Sequence, residues 1–113
     1  MTHDVTRQSV GIEVRGGMFV PLIPRGTPVP ARHSEIFTTA DDGQESITVK
    51  VFAGDYESTS LNHPVGAYRV LLPHRQPRGV PQIEVIFSVD QMHQVTVTAR
   101  DVHSGASVSV VRD

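Results

Sequence analysis

The run PRGVPQIEVIFSVD, residues 77–90, constrains the fold more than any other stretch of the chain. Ile83, Val85, Phe87 and Val89 fall on one face of an extended backbone, with Gln82, Glu84 and Ser88 on the other. That is the period of a strand with one buried side. Pro77 and Pro81 fix their own backbone angles and bias the preceding residues toward extended geometry, so no helix can run through Arg78, Gly79 and Val80. Ile86 departs from the alternation, and an apolar residue on the outer face is compatible with a second packing layer, a crossing loop or a ligand site.

The same period recurs along the chain. Val10, Ile12 and Val14 alternate ahead of Gly16-Gly17, and the extended run from Met18 to Ile23 contains Pro21, which predicts an edge or bulged strand because proline gives the ladder no donor. PRGTPVP, residues 24–30, is a stiff connection. A run from Ser34 to Ala40 ends at Asp41-Asp42-Gly43, a turn whose glycine can take positive φ. Ile47, Val49 and Val51 share a face opposite Thr48, Lys50 and Phe52. Residues 54–66 read as a loop leading into a strand over 67–72. Val95, Val97 and Ala99 form another alternating run, and Val108 and Val110 close the chain. Eighteen valines stand against four leucines, and β-branched side chains suit a pleated surface better than a helix. Seven or eight short strands with turn signals between them predict an all-β domain, an antiparallel sandwich or a relative of one.

A chain of 113 residues fits a single domain spanning 1–113. No stretch approaches the roughly 20 apolar residues of a spanning helix, and residues 1–9 carry no apolar signal core. The absence of cysteine suits a reducing compartment, so a cytoplasmic location is expected. With a formal net charge of −2 and one lysine there is no basic stripe for nucleic acid.

Catalytic and metal signals are weak. His3, His33, His63, His74, His93 and His103 show none of the short ligand spacings of zinc sites, which favours surface or locally hydrogen-bonded roles and no metal. Asp41-Asp42 lacks the alternating oxygen ligands of a calcium loop. There is no G-x-S-x-G elbow, and Gly16-Gly17 is not followed by the Lys-Ser or Lys-Thr of a phosphate cradle, so no enzyme is expected here. An all-β domain with rigid loops and outward apolar residues such as Phe52 and Ile86 is suited to binding extended ligands by strand and groove. The same residues could equally pack beneath loops.

Four blocks together resemble the DnaK-type chaperones of the heat-shock protein 70 family: GIEVRGGMFVPLIPRGTPVP (residues 11–30), HSEIFTTADDGQ (33–44), ITVKVFAGD (47–55) and PRGVPQIEVIFSVD (77–90). They occur in the family's order and spacing, and the resemblance extends from about Asp4 to Val111. It implies the β-sandwich of the substrate-binding domain, with a groove formed by strand-connecting loops at one end that holds extended apolar segments of unfolded clients. It also implies that the ATPase domain with its ATP and magnesium, the co-chaperones that act through the full-length protein (a J-domain protein and a nucleotide exchange factor) and the helical lid belong outside this sequence.

Carried over position by position, the resemblance implies a peptide cradle of Ile12, Phe37, Ile47, Val49, Ile83 and Val85, with Ile47 lining the central pocket. Glu13, Val14, Thr38, Gln44 and Thr48 are expected along the channel, and Arg15 and Ala40 in an arch over it. Arg78 matches the lid-contacting arginine, and Glu84 is expected to face away. Two departures stand out: Arg15 occupies a position that is often apolar in the family, and Gln91-Met92-His93-Gln94 replaces a glycine-containing hairpin turn. A divergent member could instead serve as a docking module without client binding. An open groove could also take a neighbouring molecule's tail, giving self-association.

Overall fold

The computed structural model describes residues 4–113, so His3 lies outside the described residues. Nine strands follow in order: β1 (Val10–Val14), β2 (Met18–Ile23), β3 (Ala31–Phe37), β4 (Ser46–Ala53), β5 (His63–Leu71), β6 (Ile83–Val89), β7 (Val95–Asp101), β8 (Ser107–Val108) and β9 (Val110–Arg112). A 3-10 turn, Thr59–Leu61, precedes β5 and is the only helical element among the described residues. The strands form two antiparallel sheets, one ordered β2-β1-β4-β5-β9 and the other β3-β6-β7-β8. This is the expected all-β sandwich. The closing run divides at Ser109, so that β8 pairs with β7 while β9 crosses to pair with β5.

The sheets face each other across the predicted rows. Ile83, Val85, Phe87 and Val89 of β6 are buried, and Glu84, Ile86 and Ser88 are half-buried on the outer side. Ile47, Val49 and Val51 of β4, Tyr68 and Val70 of β5, and Val97 and Ala99 of β7 belong to the same core. Burying each large aliphatic or aromatic side chain contributes about 1.5–3 kcal/mol, so these rows fix which face of every strand turns inward. On the outer face, Glu84 meets Arg100 of the neighbouring strand at 2.5 Å, as its expected orientation requires.

Pro21 sits in an edge strand beside a register shift, where a missing donor costs the ladder nothing. Gly11 opposite it is a close approach of backbones: an added Cβ would lie 2.0 Å from the Val20 carbonyl oxygen. Two strand boundaries differ from expectation. β5 begins at His63, because a bulge at Val51/Phe52 accommodates Pro64 within the ladder. β3 runs from Ala31 to Phe37 rather than from Ser34 to Ala40, because all seven of its residues pair with β6 and the chain leaves the ladder at Thr38. The 90–94 turn manages without glycine. His93 adopts a φ of 62°, its amide donates to the Asp90 carbonyl, and Asp90 Oδ1 accepts from the Met92 and Gln94 amides.

Candidate functional site

Antiparallel pairing gathers four strand ends at one end of the sandwich. Phe37, the last residue of β3, pairs with Ile83, the first of β6; Ser46, the first of β4, pairs with Leu71, the last of β5. β1 runs against β4 from Val10↔Ala53 to Ile12↔Val51, so its terminal Val14 points toward the same end. Ile12, Ile47, Val49, Ile83 and Val85 therefore converge from both sheets in one apolar cluster, with Phe37 half-buried against it. Ile12 and Ile47 each retain 7% exposure, and Val85 retains none. The floor expected for a groove is thus continuous with the hydrophobic core.

Two connections that cross between the sheets, residues 38–45 and 72–82, are joined to each other. Thr38 Oγ1 donates to the Pro81 carbonyl at 2.6 Å. The Gly79 amide reaches both the Thr39 carbonyl (3.2 Å) and its hydroxyl (3.1 Å). The Arg78 amide donates to Asp42 Oδ1 at 2.9 Å, and the Gly43 amide to the Gln76 carbonyl at 2.9 Å. The proline-bracketed segment closes its own turn, Val80 amide to Pro77 carbonyl, with Gly79 at a φ of 77° that only glycine adopts freely. Its stiffness therefore serves the neighbouring loop that carries Ala40.

Inside that loop Gln44 acts as an internal brace. Its Oε1 accepts from the amides of Ala40 (3.0 Å) and Asp41 (3.3 Å), while Nε2 donates to the Ser46 carbonyl (2.7 Å). The Ala40 amide is consequently satisfied within the chain, and Ala40 itself is exposed.

Across the site, Arg15 lies exposed in a turn closed by the Gly17 amide and the Val14 carbonyl, with Gly16 at a φ of 87°. Arg15 makes no ion pair among the described residues. Buried Thr59 supports this turn: its amide donates to the Gly17 carbonyl, and its hydroxyl lies 2.7 Å from Glu13 Oε1 and 3.0 Å from that same carbonyl, donating to one of them at a time. Glu13 is also 3.7 Å from Lys50 Nζ, so its side chain is engaged on the outer face of the sheet. Thr48, alternating with Ile47 and Val49, is exposed on that face too. Val14 is exposed at the end of β1, and the Arg78 side chain is exposed in its turn. The apolar floor and the two loops are thus brought together, while the side chains of Glu13 and Thr48 point elsewhere.

Of the residues that hold the loops, Asp42, Gly79 and Pro81 stand out in the sequence only as turn residues, and Thr39 and Thr59 not at all. Two consecutive threonines before an Asp-Asp-Gly turn were the available signal, since hydroxyls leaving a strand seek local acceptors. Among the described histidines, His33 lies 2.7 Å from Glu35 and His93 2.6 Å from Asp4, and no cluster of three metal-ligating side chains occurs among the described residues.

A family model described as Hsp70 protein matches residues 1–112. The chain is 44% identical over 108 residues to the chaperone protein DnaK of Thermotoga petrophila and to that of Thermosipho africanus, and 43% identical to that of Thermosipho melanesiensis. Each match covers 96% of this chain and 18% of the relative's length.

Proposed function

The chain belongs to the Hsp70 family, and from that premise we propose that it is a peptide-binding sandwich, holding extended apolar segments of unfolded polypeptides in a chaperone. The observation that best supports this reading is the double bracing of the 38–45 loop, by Gln44 from within and by residues 77–82 from behind. A loop already ordered before its ligand arrives reduces the entropy lost on binding. Ile47 would line the pocket for one apolar side chain, with Ile12, Phe37, Val49, Ile83 and Val85 around and beneath it. Arg15 and Ala40 would flank the bound backbone, and Arg78 would remain available to a lid.

Filling a pocket with one Leu or Ile side chain contributes roughly 1.5–3 kcal/mol, so backbone hydrogen bonds must supply the rest of the approximately −8 kcal/mol that micromolar affinity requires. Weak, promiscuous binding follows. Gly16-Gly17 forms a turn into a strand, without the helix and lysine of a phosphate cradle, so these residues do not fit ATP and magnesium and no hydrolytic step is assigned to them. ATP, a J-domain protein and a nucleotide exchange factor would act through an ATPase domain in a full-length, cytoplasmic protein.

A second reading, a docking module without client binding, is favoured by one observation: no side chain of the Ile12, Ile47, Val49, Ile83 and Val85 floor is more than 7% exposed. Fluorescence anisotropy of a labelled Leu-centred heptapeptide separates the two, run beside Ile47→Phe with circular dichroism to verify folding. Saturation near micromolar concentration, weakened about tenfold by the variant, supports client binding. Absence of saturation with either protein favours docking.

A further inference from the structure

At the opposite end of the sandwich a cavity of about 460 Å³ opens between the sheets. It is reached by the far ends of the same strands, with Val10 of β1, Ala53 of β4 and Val89 of β6 in its wall. Its volume falls in the range of small-molecule sites. Val65, Val95 and the Tyr68 ring give it an apolar side, while Arg7, Arg112 and His93 supply its basic groups, with no carboxylate in the lining.

The two arginines make no ion pair among the described residues, whereas His93 is already engaged by Asp4 at 2.6 Å. Arg112 is held in place. Its Nη2 donates to the Val65 carbonyl at 2.6 Å, and its guanidinium carbon lies 5.9 Å from the centre of the Tyr68 ring. Gly66 leaves room for this arrangement, since a Cβ there would stand 2.8 Å from Arg112 Nε. A guanidinium has five donors in a planar fork; a single bond to Val65 leaves others able to meet a carboxylate, and a fixed fork loses little entropy in doing so.

We propose that this cavity is a second ligand site, for small molecules that carry an apolar body and a carboxylate. The body packs on Val65, Tyr68 and Val95, and the carboxylate is received by Arg112 and Arg7. The site is independent of the Ile47 floor and stands whether or not that floor binds peptide.

The test is a titration of the isotope-labelled 113-residue chain with 4-phenylbutyrate, its neutral amide 4-phenylbutanamide and the cationic 4-phenylbutylamine, followed by amide chemical shifts. The carboxylate is expected to saturate, to move the amides of Val65, Tyr68, Val95 and Arg112, and to bind about tenfold more tightly than the neutral amide, the scale of one charge-assisted hydrogen bond. Arg112→Gln and Gly66→Ala should each weaken the carboxylate alone, and Ile47→Phe should leave it unchanged. Equal binding of carboxylate and amide overturns the proposal on the parent chain, even if a variant fails to fold. So do shifts centred on Ile47 and Phe37, or no saturation by any of the three compounds.

Discussion

Replacing Gln44 with alanine removes three hydrogen bonds from the 38–45 loop and leaves the core intact. Ala40 and Asp41 are exposed, so their amides can turn to water, and each bond contributes about 0.5 kcal/mol, the lower end of the usual range. The Ser46 carbonyl lies in a half-buried residue and loses a partner at 2.7 Å, worth about 1 kcal/mol. Gln44→Ala should therefore lower stability by about 2 kcal/mol, a fall in Tm of roughly 8 °C for a domain of this size. Urea unfolding should show a lower midpoint at unchanged slope, and hydrogen exchange should accelerate at the amides of Ala40 and Asp41. Gln44→Glu keeps the acceptor for both amides and loses only the donor to Ser46, so it should forfeit about half as much. An unchanged midpoint with unchanged exchange at Ala40 would refute the brace, as would a loss above about 4 kcal/mol, which would implicate the core instead.

Further outcomes follow from other contacts. Gly11→Ala forces a Cβ toward the Val20 carbonyl, a backbone atom that cannot swing aside, and should cost about 3 kcal/mol or more in urea unfolding; near-neutral stability would show that the β1–β2 bulge yields. The Ser104 and His103 amides hold the Asp101 carboxyl below its ordinary value, against a smaller opposing effect of desolvation. Its stabilising contribution is therefore present above the unfolded value of 3.8 and is lost as pH falls through the lower folded one. Asp101→Asn should be less stable than the parent at neutral pH and lose less on acidification, and parallel pH profiles would contradict this. Arg15→Met should weaken binding of peptides with acidic residues beside the anchoring side chain while sparing basic ones, as measured by anisotropy across both sets; an unaltered preference would remove Arg15 from the peptide's surroundings.

The strands most readable in the sequence were those whose inner row is uniformly apolar. β6 and β4 met this condition, since Ile83, Val85, Phe87 and Val89, like Ile47, Val49 and Val51, leave no second choice of face. β3 did not, because Arg32, His33, Ser34 and Glu35 carry no apolar period, and its extent is decided by pairing with β6 some fifty residues away. The start of β5 was hidden by Pro64 and Gly66, which read as breakers until the bulge opposite Phe52 gives them a place. For the candidate site, the resemblance supplied expected positions for the apolar floor and for Arg15, Ala40, Gln44 and Arg78 in the loops, but not the hydrogen bonds that hold those loops. Thr39 and Asp42 lie in one crossover and Gly79 in the other, and they acquire a shared purpose only when the two meet in space.

The pairing of β3 with β6 has a consequence during synthesis. β1, β2, β4 and β5 find their partners within the first 71 residues, but β3 is finished at Phe37 and its partner β6 only at Val89. At a translation speed of about 5–20 residues per second, this strand emerges from the ribosome several seconds before anything can pair with it. Its neighbour in the chain, β4, has by then an apolar row but no opposing sheet to cover it. A nascent copy thus passes through a stage in which it displays an unpaired segment beside an uncovered apolar face, the kind of polypeptide that the proposed function assigns to this fold as ligand.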